Sequence, residues 1–284
     1  MSLLNPNEIL RRARRPLHIG LVATSGAGYA EMEEFLLPAS TPLEERTYLL
    51  DQLHRVGDQG VPENVDLILF EQGIPASKGT YTFHRDNPAA TVEEILRGNE
   101  DIALALARQF PAFRGPVVER TIHAVARENA LFAVATALPD VVPSLIELPW
   151  AFGEFASDTV FLTGNQIRMA FLIAAACGKE VGFGGQKGAI LSIAAGAFGW
   201  RALARELVGK IPLGGGLIPK GAIAYAGTYA VGKGLEFYYR GNGALPRSRR
   251  KALYREALDR GRAVAESAGK ESALPRSQNV SGPK

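Results

Sequence analysis

From Pro116 to Tyr239 the chain is rich in Ala, Gly and large apolar residues, and how often charge interrupts that stretch limits what it can fold into. A helix that crosses a bilayer needs roughly 20 consecutive apolar residues. The longest charge-free runs here are 188–200 with 13 residues, 221–232 with 12 and 129–139 with 11. By that measure none spans. A helical domain packed on itself satisfies the pattern, and so do helical hairpins embedded in a bilayer, since Arg and Lys near helix ends can snorkel. Val118, Ile122, Val125 and Phe132 recur on one helical face between Pro116 and Leu138, and three further helical segments are predicted at 158–178, 187–209 and 219–239. In the last, Ala222, Ala226, Ala230 and Gly234 form an i+4 row of small residues that lets another helix approach closely. Gln166 and Arg168 interrupt the 158–178 segment as a structural polar cluster. Such groups need partners, which Asp140, Glu147, Glu154 and Asp158 are expected to supply; a polar path through a bilayer is the sharper alternative.

Ahead of Pro111 the pattern changes. Residues 17–23 and 65–70 are short apolar runs with strand character, and "AEMEEFLL" and "TPLEERTYLLDQLHRV" between them read as helices, a βαβ-like beginning. Thr41, Pro42 and Glu44 predict a capping box with proline at the first helical position. The chain is then loop-rich until a helix from Thr91, followed by a helical "NEDIALALARQF". Within the first unit, "LVATSGAGYAEMEEFLL" outlines a phosphate-binding loop. The working pattern G-x-x-x-x-G-K-[S/T] uses Lys on the β/γ-phosphates and a hydroxyl on Mg²⁺. With Gly28 aligned to its second Gly, Ala23 takes the first, Tyr29 the Lys and Ala30 the hydroxyl position. Gly26 and Gly28 are therefore expected to serve a tight strand-to-helix turn for backbone reasons, as a vestigial loop. Weak anion binding by backbone N–H groups is the alternative, opposed by Glu31, Glu33 and Glu34.

Charge is uneven. The net charge is +3, yet residues 1–16, expected as a basic N-terminal helix, carry Arg11, Arg12, Arg14 and Arg15 against Glu8, and residues 240–284 carry 11 basic against 4 acidic side chains. Basic ends on an acidic middle favour an anionic surface. Without aromatics interleaved among the arginines, nucleic acid ranks below lipid. The lone Cys177 excludes an internal disulfide framework and suits a reducing compartment as a buried structural thiol. The N-terminus has no apolar signal region. His18, His54, His84 and His123 show no ligand spacing, Ser25 sits in no nucleophile elbow, and no catalytic, metal or cofactor-binding residue is assigned.

The segments "ERTIHAVARENALFAVATALP", "TGNQIRMAFLIAAACGKEV" and "GWRALARELVGKIPLGGGLIPKGAIAYAGTYAVGKGLEFYY" together resemble a bacterial family, the YcjF-like domain of unknown function 697. It is a hydrophobic helical module found behind or beside small-GTPase-like domains. The matching positions are Asn129, Ala130, Pro139, Gln166, Arg168, Met169, Gly178, Ile211, Pro212, Gly214 to Gly216, Thr228, Gly232 and the aromatic pair near Tyr238, covering 115–240. The resemblance implies membrane association without established catalysis, and it recasts the preceding region as a shrunken GTPase-like domain. No D-x-x-G precedes "VDLILF" and no N-K-x-D follows it, "PASKG" being a poor substitute. The expected fold is a small degenerate P-loop-like α/β domain followed by an α-helical hairpin domain. The expected organisation is a basic helix at 1–16, the reduced GTPase-like domain at 17–110, the hydrophobic helical domain at 111–240, and a basic helix with a disordered tail at 241–284. The expected function is a non-enzymatic membrane-associated adaptor on the cytoplasmic side of the inner membrane. Its expected partners are anionic lipid, a separate GTPase and further copies of itself. The alternatives are a nucleotide-binding switch without hydrolysis and a small transporter or pore component.

Overall fold

Near-continuous apolar sequence marks a strand buried on both faces of a parallel sheet, and Ile19–Val22 (β1) is that strand, with Ile19 and Leu21 buried on one face and Gly20 on the other. In the computed structural model, which describes residues 5–56, 64–77, 79–136, 158–188, 190, 217–243 and 245–273, β1 pairs in parallel with Leu53–Arg55 (β2) on one side and Leu67–Glu71 (β3) on the other. Tyr81–Phe83 (β4) pairs in parallel with β3, giving a four-stranded sheet of order β2-β1-β3-β4. The chain is mixed α/β and mostly helical. The helices Pro6–Ala13 (α1), Gly26–Leu36 (α2), Leu43–Leu50 (α3), Pro88–Gly98 (α4) and Ala103–Gln109 (α5) alternate with these strands or flank them in the chain, α2 packing on β1 and β3 and α4 on β4.

Several local expectations are corrected. The helix predicted through Val56 stops at Leu50, because Leu53 pairs with Ile19 and draws the following residues into β2. The capping box does not form: Pro42 is extended at ψ 137° and is itself the residue before the helix, and Thr41 is buried with its hydroxyl unpartnered among the described residues. Glu44 and Glu45 still stand in the first turn, where the helix dipole favours them. Strand β4 was not expected, since three residues are too few to show alternation. Helix α4 starts at Pro88 rather than Thr91, capped by the Asn87 side chain on Ala90 N–H. The helix Pro111–Ala135 (α6) begins at Pro111, not Pro116. Pro111 occupies the first position, where a missing N–H costs little, and Pro116 inside the helix removes one backbone bond.

Asp158–Ala176 (α7), Leu217–Phe237 (α8) and Arg247–Ala273 (α9) complete the described helices, with a one-turn π-helix at Tyr238–Asn242 after α8. Of the predicted helix at 187–209 only residues 187, 188 and 190 are described, and they are helical; the rest of it and the tail beyond Ala273 lie outside the described residues, as do Pro139, Ile211, Pro212 and Gly214 to Gly216. Two units are distinguished by contact: Met1–Thr121 with Ala170–Lys187, and Ile122–Met169 with Gly188–Lys284. The divisions therefore fall within α6 and α7, whereas composition placed bounds at 110 and 240.

In the first unit, α2 packs on β1 and β3, and α7 ends in a Schellman motif. Lys179 N–H donates to Ala174 O at 2.9 Å and Gly178 N–H to Ala175 O at 3.1 Å, with Gly178 at φ +74°. This left-handed position favours glycine. Arg108 donates to the carbonyls of Ala175 and Lys179, and Arg114 to those of Ala107, Arg108 and Ala176, so two guanidinium groups finish the helix ends. In the second unit α8 and α9 form an antiparallel helical hairpin. Residues around much of α8 are buried, namely Ala222, Ala224, Tyr225, Ala226, Thr228, Tyr229 and Leu235. The small-residue row is buried at Ala222 and Ala226 and open at Gly234. A Cβ on Gly261 of α9 would lie 2.8 Å from Ala222 O, whereas Gly234 has nothing within 4 Å.

Candidate functional site at the β1–β3 crevice

In a doubly wound parallel sheet, ligands are received outside the carboxyl ends of the strands, where the strand order reverses. Here that point lies between β1 and β3. Beyond β1 come Thr24 and Ser25, then α2, and β3 ends in Glu71. The Glu71 carboxylate reaches across the crevice, where its Oε2 accepts hydrogen bonds from Thr24 N–H and Thr24 Oγ1, both at 2.8 Å. It also lies against Gly28, where an added Cβ would come within 2.6 Å of Glu71 Cδ and Oε1. Ser25 caps α2 by accepting from Gly28 N–H at 3.1 Å. Arg85 is placed by its own N–H donating to Gln72 Oε1 at 3.1 Å. Its Nη2 lies 2.6 Å from Glu31 and 3.9 Å from Glu71. The Thr24 backbone bond, then the Thr24 hydroxyl bond, with help from Arg85, hold the Glu71 carboxyl below its ordinary range against the opposing effect of desolvation.

This geometry revises the reading of the loop. Gly26 and Gly28 are ordinary helical residues of α2, neither in the left-handed region, so no turn requires their backbone freedom. Gly26 faces open space, while Gly28 makes room for a carboxylate. Nor do the three glutamates form an unopposed negative turn. Glu31, Glu33 and Glu34 pair with Arg85, Arg55 and Arg46 at 2.6, 2.9 and 3.5 Å. Tyr29, at the position of a working loop's Lys, lies under the Arg55 guanidinium, 5.0 Å from ring centroid to Cζ. Glu71 was the residue missed. Its sequence signal was faint, a single acid ending an apolar strand.

In the helical unit, Arg168 donates to Glu128 of α6. A structural ion pair was expected, and among the described residues the acid that Arg168 meets is Glu128 on α6. Asp140, Glu147, Glu154 and the side chain of Asp158 lie outside the described residues. Gln166 is buried, and beside it a ladder of buried amides crosses three helices. Asn165 Nδ2 donates to Asn129 Oδ1 and Asn129 Nδ2 to Thr228 Oγ1, each at 2.9 Å. His123, on the same α6, lies 2.5 Å by Nδ1 from Tyr225 Oη and 3.3 Å by Nε2 from Arg260 Nη1. A guanidinium can only donate, so the Arg260 contact is a hydrogen bond only when Nε2 accepts and Nδ1 carries the ring proton.

The histidines that linear spacing separated include one pair brought together by strand pairing. His18 Nδ1 lies 2.9 Å from His54 Nε2, and burial, then the neighbouring His18, pushes the His54 pKa down. Cys177 is half-buried rather than buried. Among the described residues no three metal-ligating side chains cluster, and no helix is long and apolar enough to cross a membrane. No family model, curated protein or solved structure matches the chain.

Proposed function

We propose that this chain is a non-catalytic adaptor attached to an anionic membrane surface, with further copies of itself and a separate GTPase among its partners. Its α/β unit is a reduced, P-loop-like domain that has lost phosphoryl-transfer chemistry, as Tyr29 and Ala30 replace the Lys and hydroxyl that such chemistry uses. The supporting observation is the excess of exposed arginines on α9, five against the three exposed acids Glu256, Asp259 and Glu266 among the described residues. Tyr254, Ala257, Gly261 and Ala265 are buried, while Arg247, Arg249, Arg250, Arg255 and Arg260 are exposed. A helix pinned by its apolar side presents its arginines at fixed positions, and each basic residue near an anionic surface contributes about 1 kcal/mol. The resemblance over 115–240 favours membrane attachment in the same direction. Because the apolar residues of α8 are engaged with other helices, attachment is peripheral in this reading.

Co-sedimentation with vesicles tests it. Binding to phosphatidylserine-containing vesicles and not to phosphatidylcholine vesicles, weakened by salt, is the expected result. Reversing Arg249, Arg250 and Arg255 to Glu should cost about 3 kcal/mol or more, on the order of 100-fold in affinity. Equal binding to both vesicle types, or GTP turnover abolished by changes at residues 24–30, would overturn the reading.

A further inference from the structure

The crevice at the β1–β3 switch point has donors in place and an acceptor already seated on them. The Thr24 N–H and hydroxyl converge on one carboxylate oxygen at 2.8 Å, Gly28 leaves the space that a side chain would fill, and Arg85 stands on the outer side at 3.9 Å. A carboxylate held by two convergent donors beside a cation is satisfied as a bound anion would be. It is supplied by the end of β3, so its effective concentration is set by the chain and does not fall on dilution, and a dissolved anion at ordinary concentration does not compete with it on equal terms. We infer that Glu71 is an autoinhibitory occupant of this position, closing to outside anions the crevice where a sheet of this order receives a ligand.

The contact also explains a pairing of residue types. A side chain at position 28 would displace the carboxylate, and a shorter acid at position 71 would fall short of Thr24. The inference is independent of the adaptor reading, since its readout is thermal melting and involves neither lipid nor a partner.

Chemical rescue of the full-length protein tests it. Glu71→Ala leaves the Thr24 donors without their acceptor and lowers Tm. Sodium formate should restore part of that loss, with the saturable, logarithmic dependence on concentration that ligand linkage requires. Sodium chloride at matched ionic strength should not. The wild-type chain, its position filled, should respond to formate and chloride alike. Thr24→Val combined with Glu71→Ala should abolish the rescue. If Glu71→Ala does not fold in chloride, recovery of folded protein on refolding in formate rather than chloride supplies the same comparison. Formate acting no better than chloride on Glu71→Ala, or acting equally on the wild type, would overturn the inference.

Discussion

A single hydroxyl group illustrates how burial sets chemistry at the scale of one residue. Tyr254 is 1% exposed, its Oη has no hydrogen-bond partner among the described residues, and burial pushes its pKa up to about 12. The neutral form is favoured in the folded chain, so its contribution is intact below the unfolded pKa near 10 and is lost as pH rises from 10 towards 12. That loss amounts to about 2 to 3 kcal/mol. Tyr254→Phe should therefore raise stability at neutral pH by about 1 kcal/mol, because an unsatisfied polar group leaves the core. It should also flatten the alkaline decline. Urea unfolding at pH 7 and pH 11 checks both. Arg168 is the opposite case. Its side chain is 17% exposed and bonded to Glu128, whereas Arg11, 76% exposed, pairs with Glu8 only one helical turn away. Arg168→Leu should cost about 2 to 3 kcal/mol and Arg11→Ala less than about 1. Matching denaturant midpoints would mean that the Arg168 pair contributes nothing.

At the scale of elements, what the sequence showed was periodicity, and what it hid was partnership. The strands β1 and β3 and the helices α2, α5, α7 and α8 are visible because each carries an apolar run or repeating face long enough to read, whereas α9 is legible only as a charged helix. Strand β2 was read as helix because "LLDQLHRV" is helix-compatible locally, and only the pairing of Leu53 with Ile19 overrides it. Gly26 and Gly28 were found as a loop, but not the carboxylate from a distant strand that gives Gly28 its purpose. Asn165 was invisible, since its role depends on two other helices. The close approach predicted from the small-residue row exists, but its second partner is Gly261, on a helix whose composition suggested only charge. Gly261→Val should force α9 away from Ala222 and Tyr225, costing about 1 to 3 kcal/mol. Val at Gly234, where nothing lies within 4 Å, should cost no more than about 1 kcal/mol. Circular dichroism melting of the two variants decides whether the difference exists.

At the scale of the whole molecule, the first unit is not a continuous piece of chain. It needs Ala170–Lys187, whose carbonyls at Ala175, Ala176 and Lys179 receive Arg108 and Arg114. A fragment ending at Thr121 should therefore show no cooperative melting, and a peptide spanning 158–187 added in trans should restore protection of the sheet amides to hydrogen exchange. Independent two-state melting of the shorter fragment would show that the returning segment is dispensable.

The returning segment also imposes an order of events during synthesis. A domain encoded in one stretch can close as soon as its last residue clears the ribosome, and N-terminal domains commonly do so first. Here the arginines of α5 and α6 emerge long before the carbonyls they satisfy, and part of the second unit must be translated in between. The amino-terminal half therefore leaves the ribosome unfinished, with two guanidinium groups and an uncovered core held open. Its exposure to chaperones is fixed by the elongation rate through residues 122–187 rather than by its own folding rate.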